Sequence, residues 1–151
     1  MAAGLRIEKK RIDAFTEAFV ARANQLLTGQ DLQPALRLDA EVSLGELAEP
    51  VVRDLERLAP FGMGNPRPLF ASPMLQLDGE PRTVGRGGKH LQFNLTDGRT
   101  RRKAIAFDQQ DQLGPLLDHR KCRVAFKPIL NTYNGRTSVE LQVIDIAFSG
   151  T

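Results

Sequence analysis

Apolar residues recur at Ile12, Phe15, Phe19, Ala23 and Leu26, spacings of three and four that set them on one stripe of a helix beginning near Glu8. Gly29 stands where a glycine ends such a helix. Residues 2–7 ahead of it are short enough for a strand. In residues 36–42, Leu36, Leu38, Ala40 and Val42 alternate with Arg37, Asp39 and Glu41, which predicts another. Residues 43–50 form a connection with room for one helical turn. Pro50 then opens a short helix whose apolar face is Val51, Val52, Leu55 and Leu58, and Pro60 stops it. This half is a thin core for an independent domain and predicts part of something larger.

Residues 60–68, PFGMGNPRP, cannot form a regular element. Yet Phe61 and Met63 are apolar, so Phe61, Gly62, Met63, Gly64 and Asn65 are expected to form a rigid, partly buried joint. Beyond it the period changes to two. Residues 69–77 predict a first strand, and residues 79–89, with four glycines, a loop. Leu91, Phe93 and Leu95 alternate with His90, Gln92 and Asn94 in a second strand. Asp97-Gly98 turns it into a third at 99–107, where Phe107 is expected to end in the core. Residues 108–117 carry Leu113, Leu116 and Leu117 and predict a short helix. Residues 121–130 and 137–148 are the fourth and fifth strands, joined at Asn134-Gly135, the strongest hairpin turn in the chain.

That turn fixes a register. Phe126 should face Val143, Pro128 Leu141 and Leu130 Val139, while Lys127 faces Gln142, Asn131 Ser138 and Tyr133 Arg136. Apolar meets apolar and polar meets polar, as a wrong register would not allow. Pro128 predicts an edge position or a bulge. Five strands with a helix between the third and fourth is the order of an OB-fold barrel. The fold class expected is therefore α+β, a small α/β segment followed by a five-stranded OB-fold.

Charge sharpens this picture. Residues 1–60 carry 8 basic and 10 acidic side chains, and residues 61–151 carry 13 and 8, so the halves are −2 and +5. From Arg82 to Lys103 seven cations (82, 86, 89, 99, 101, 102, 103) face one acid, Asp97. A positive, glycine-flanked sheet surface suits a polyanion, first of all a nucleic-acid backbone. Ligands of an OB-fold lie across strands two and three, flanked by the loops joining strands one to two and four to five. The candidate contacts are Arg82, Arg86, Lys89, His90, Gln92, Arg102, Lys103, Lys127, Asn131, Tyr133 and Arg136. Tyr133 is the only tyrosine and tryptophan is absent, which favours backbone contacts over base reading.

Little else carries chemistry. Two-metal phosphodiester hydrolysis needs carboxylates and histidines converging on ions about 4 Å apart. The chain has two histidines, His90 and His119, with no acidic cluster in sequence near either, so no metal and no catalytic residue is expected in it. Residues 85–88 lack the ending of a phosphate-binding loop. The lone cysteine, Cys122, alternates with Val124 and Phe126 and predicts a small core residue. A single thiol excludes an internal disulfide. No apolar run approaches the ~18 residues of a membrane helix, and the N-terminus lacks the regions of a secretory signal. No membrane partner and a cytoplasmic location are expected.

PFGMGNPRP at 60–68, GGKH at 87–90, AIAF at 104–107 and NTYNGRTSVELQVIDI at 131–146 together resemble the C-terminal part of RecJ-type single-stranded-DNA-specific exonucleases. The resemblance covers nearly all the chain. It implies a parent with an N-terminal DHH phosphoesterase domain holding manganese or magnesium, then a DHH-associated domain, then an OB-fold gripping the single strand. It implies 5′ to 3′ digestion of single-stranded DNA in recombination and repair, with a single-strand-binding protein as a candidate second partner. Family members carry a Gly-Gly-His motif just before a segment similar to MAAGLRI, and Met1 stands after that point. Asp118-His119-Arg120 is only an echo of the DHH motif. The expectation is a fragment: residues 1–59 the tail of a DHH-associated domain, 60–68 the joint, 69–149 the OB-fold, non-catalytic alone. Two other readings stay open, an OB-fold that docks protein and an OB-fold that binds RNA.

Overall fold

The computed structural model describes residues 4–29 and 35–148. Contacts divide it into two compact units, Met1–Leu36 and Arg37–Thr151. In the first, a 3-10 turn at Lys9–Arg11 runs into helix α1, Ile12–Leu26. The predicted stripe forms, with the Phe15 and Phe19 rings 5.8 Å apart. None of its residues is buried, and Phe19 is 62% exposed. Leu27, not Gly29, closes the helix by donating to the Ala23 carbonyl. Residues 4–8 form no strand, and residues 2 and 3 lie outside the described residues.

The second unit opens with strand β1, Ala40–Glu41, much shorter than the stretch predicted. A 3-10 turn at Leu44–Glu46 and helix α2, Glu49–Glu56, follow. Ser43 and Glu46 make a capping box: the Glu46 carboxylate accepts from the Ser43 N–H at 2.8 Å and its hydroxyl at 2.6 Å. Pro50 is the second helical residue, where a missing N–H costs nothing. The apolar face differs from expectation. Val52 is buried, but Val51 and Leu58 are exposed, and the core instead takes Leu44 and Leu47 from the turn. A helix of two turns covers little, so the connection before it supplies the rest.

The PFGMGNPRP segment lies inside this unit. Gly62 and Asn65 exchange backbone hydrogen bonds of 2.9 and 3.1 Å, and the Asn65 amide donates to the Leu58 and Pro60 carbonyls. Phe61 is half-buried under the Arg67 guanidinium, 4.5 Å from its ring centre, and Glu56 holds Arg67 in turn. Met63, expected to help anchor the segment, is fully exposed.

The predicted first strand is split into β2, Phe70–Ala71, and β3, Leu75–Leu77. The break has a cause. Ser72 is wholly buried; its N–H donates to the Val124 carbonyl and its hydroxyl oxygen accepts from the Val124 N–H. Pro73 beside it has no donor to give a ladder. The glycine-rich loop holds a strand the period did not show: β4, Arg82–Val84, pairs antiparallel with β5, His90–Thr96. Strand β6 is Arg101–Ala106, helix α3 Leu113–His119, β7 Lys121–Tyr133 and β8 Arg136–Phe148.

The pairings close a ring: β7 to β3, β3 to β5, β5 to β6, β6 to β8, and β8 back to β7. All are antiparallel except β6–β8, which is parallel. This five-strand ring is the OB arrangement. The register predicted from Asn134-Gly135 is observed at every pair named, from Tyr133 opposite Arg136 to Phe126 opposite Val143. Past Phe126 it slips, Ala125 facing Asp145, so Ile144 is one extra residue on β8. The Gln109 amide donates to its carbonyl at 2.9 Å. Inward residues of β8 accordingly change parity, from Val139, Leu141 and Val143 to the partly buried Ile146 and Phe148, which pack on the core. Leu91, Phe93, Leu95, Ala104, Ala106, Cys122, Val124 and Phe126 complete that core with Leu75, Leu77 and Leu116. Burial pushes the Cys122 thiol up to about 11.

Candidate nucleic-acid interface

One face of β5 fills the core, so His90, Gln92, Asn94 and Thr96 must face the other way. On β6, Ala104 and Ala106 point inward, which turns Arg101, Lys103 and Ile105 outward. The ladders join these side chains into two rows around the outside of the ring. One runs Arg82, Gln92, Ile105, Gln142, Lys127 across β4, β5, β6, β8 and β7. The next runs Asn94, Lys103, Glu140, Ile129. A groove of about 540 Å³ lies on this face, lined by Arg82, Gln92, Asn94, Arg101 and Lys103 among others.

The cations of this face fall into two kinds. Arg101 is held by Asp78 at 2.6 Å and Lys103 by Glu140 at 3.2 Å. Arg82 is oriented by a neutral partner, the Gln92 carbonyl oxygen, which accepts from its Nε and a terminal nitrogen at 3.0 and 2.6 Å. Arg86, Lys89, Lys127 and Arg136 form no ion pair with an acid among the described residues and stand open to an incoming anion.

The predicted residues do not converge on one pocket. Arg86 and Lys89 flank the tip of the β4–β5 loop, beside His90. The His90 ring stands edge-on to Phe107 and its Nδ1 accepts from the Asp108 N–H at 3.1 Å. Phe107, expected in the core, is exposed. Gly85 lies against the same ring: φ is +82° and a Cβ there would stand 2.6 Å from a His90 carbon. Tyr133 and Arg136 sit at the β7–β8 tip, Tyr133 well exposed, next to Asn134 and Gly135 with positive φ. Four two-residue steps of the ladders separate His90 from Tyr133, roughly 26 Å along the strands. The face is a long track with free charge at both ends and along one row.

Arg102 departs from expectation. It shares the inward parity of Ala104, and its guanidinium donates to the Leu47 carbonyl at 2.9 Å, tying the capping turn to β6. Arg101, its neighbour, lines the groove instead. The parity of Ala104 and Ala106 was the signal available. Asn131 donates to Glu140 at 2.8 Å and is fixed by it. His119, in the Asp118-His119-Arg120 echo, stacks on Phe148 at 4.9 Å. Among the described residues, no three His, Cys, Asp or Glu side chains group to hold an ion. The ligand set for a two-metal centre is not offered by these residues.

The single-stranded-DNA-specific exonuclease RecJ of Haemophilus influenzae is 29% identical over 145 residues, 95% of this chain and 25% of the relative. The Thermus thermophilus enzyme is 31% identical over 148 residues, 96% of this chain and 20% of the relative. The chain thus spans about a quarter or less of the length of the curated relatives it matches. The crystal structure of Thermus thermophilus RecJ in complex with Mn²⁺ superposes with a TM-score of 0.75 at 27% identity, covering 98% of this chain and 21% of that one. A second structure of that protein, with Mg²⁺, gives 0.73 at 28%, over 96% of this chain and 21% of that one. Residues 38–145 match the profile of the RecJ OB domain, and the chain belongs to that family.

Proposed function

We propose that this chain is the strand-holding part of a RecJ-like 5′ to 3′ exonuclease. It grips single-stranded DNA along the outer face of β4, β5, β6, β8 and β7 and passes it to a catalytic portion outside the chain. The observation that carries the reading is the row from Arg82 to Lys127 across the strands, with Arg86 and Lys89 unpaired at one end of the track and Arg136 at the other, on a sheet whose other face is core. Lysine and arginine without acidic partners can neutralise phosphates and release counterions, which gives affinity without sequence preference. The track matches the several nucleotides an OB-fold commonly covers.

The metals of the whole enzyme, manganese or magnesium, belong on this reading to the catalytic portion. On this reading residues 1–59 are the tail of the DHH-associated domain, although the compact units divide at Arg37 and not at residues 60–68, and the exposed stripe of α1 is a surface that the rest of the enzyme covers. The setting is cytoplasmic DNA repair and recombination. The test is fluorescence anisotropy of a labelled single strand at several salt concentrations. Binding that weakens with salt, and an equal-length RNA bound less well, supports the reading. Salt-indifferent binding would point to a protein-docking module, and preference for the RNA to an RNA-binding one. No digestion of the strand is expected when the chain is incubated with manganese or magnesium.

A further inference from the structure

Glu140 is the one acid placed in the second outward row, and it is only 7% exposed. Its Oε1 takes the Lys103 ammonium at 3.2 Å and the Asn131 amide at 2.8 Å. Ile129 stands opposite it on β7, so an apolar side chain closes its third side. Lys103, by contrast, keeps a side-chain exposure of 39% and lies between Asn94 and Glu140 in the row. Burial of the carboxylate limits the water that screens the pair, and taking the cation away would leave an uncompensated buried charge, so Lys103 is kept beside it.

We infer that Glu140 sets how much of the track binds phosphate, by keeping Lys103 paired and out of competition for the strand. The inference rests on the proposed single-strand binding at this face. The pair is neutral as a unit, so a phosphate passing over it meets no net charge. The strand is then gripped at the unpaired cations on either side and only lightly in the middle. A nuclease that must let its substrate move on gains from such a weak stretch: tight binding at every row would hold the strand still.

The test uses Glu140→Gln, which removes the charge but keeps an oxygen to accept from Asn131. Affinity for a labelled oligothymidylate of about 16 nucleotides, the upper end of an OB site, is measured against salt. One new phosphate contact should steepen the slope of log K against log salt by about 0.7, hence tighten binding about fivefold at about 0.1 M salt. Adding Lys103→Gln should abolish that gain and return binding to within about twofold of the parent, since one neutral pair replaces another. A Glu140→Gln chain that binds no tighter, or a gain that survives Lys103→Gln, overturns the inference while leaving the single-strand reading intact. Should Glu140→Gln fail to fold, the variant carrying both Lys103→Gln and Glu140→Gln decides: a loss as large as that from Lys127→Gln overturns the inference. A parent chain that binds no single strand overturns both.

Discussion

Helices α1 and α2 have the same kind of sequence, an apolar stripe at helical spacing, and opposite fates. Val52 of α2 is wholly buried, joined by Leu44 and Leu47 from the turn before it. The stripe of α1, twice as long, buries nothing. Periodicity therefore states which face is apolar and not what covers it. In the barrel the cover is within the chain, since the residues that make and pack on the core all lie between residues 42 and 148. For α1 no cover is found among the described residues of its own unit.

The comparison breaks most visibly in stability. Phe126→Ala should cost about 3–5 kcal/mol, as for other buried phenylalanines, read as a lower urea midpoint. Phe19→Ala should change the same midpoint by less than about 0.5 kcal/mol. Equal losses would mean that α1 is covered by this chain after all.

Charge divides along the same line, between side chains with partners and side chains without. Arg86→Glu with Lys89→Glu removes two unpaired cations. The salt slope of single-strand binding should flatten by about 1.4, a loss of roughly 25-fold at about 0.1 M salt. Arg53→Glu, at a residue already paired with Glu49 at 2.5 Å, should leave the slope unchanged. Equal effects from both would reduce the track to net charge.

Phe61 stands between the two cases. It is half-buried and covered by Arg67, so Phe61→Ala should cost about 1–2 kcal/mol, below the full core value. A melt like that of the parent chain would show the PFGMGNPRP segment to be a plain loop.

The smallest effect concerns pH. The Ser43 hydroxyl, and then its backbone N–H, hold the Glu46 carboxyl below the usual carboxylate range. A lowered folded value adds stability that is complete above the unfolded pKa and vanishes as pH falls through the folded one. The melting temperature of Ser43→Ala should therefore lie below that of the parent at neutral pH, with the gap closing below about pH 4. A gap that does not change with pH would show that the effect does not run through the Glu46 carboxylate.

What could be read beforehand follows from what the physics makes local. The β7–β8 register was legible because Asn134-Gly135 fixes the turn and alternation checks every rung. Cys122 in the core followed from its parity with Val124 and Phe126. Strand β4 was hidden because three residues show no period, and its existence depends on pairing with β5. The split between β2 and β3 depends on Ser72 meeting Val124, a partner 52 residues away. Of the candidate contacts, the outward set on β5 was legible from alternation, whereas Arg102 was drawn inward by Leu47, 55 residues distant. Which cations are neutralised could not be read at all, since Lys103 and Glu140 meet only through the parallel β6–β8 ladder.

The extra residue on β8 has a consequence for how this domain can change length. Ile144 follows the last rung shared with β6, at Val143, and corrects the phase of the strand so that Ile146 and Phe148 again turn toward the core. Were Ile144 paired as an ordinary rung with Ala125, every later side chain would change faces and Asp145 would point where Ile146 does. The bulge therefore absorbs one residue of β8 without disturbing the rungs on either side. At the other end, Leu130 to Tyr133 and Arg136 to Val139 pair with one another, and a residue added to each arm in step leaves the phase below untouched. Insertions that lengthen or shorten the tip carrying Tyr133 are tolerable in matched pairs, and deletion of Ile144 should remove the bulge while leaving the inward side chains on both sides of it in phase.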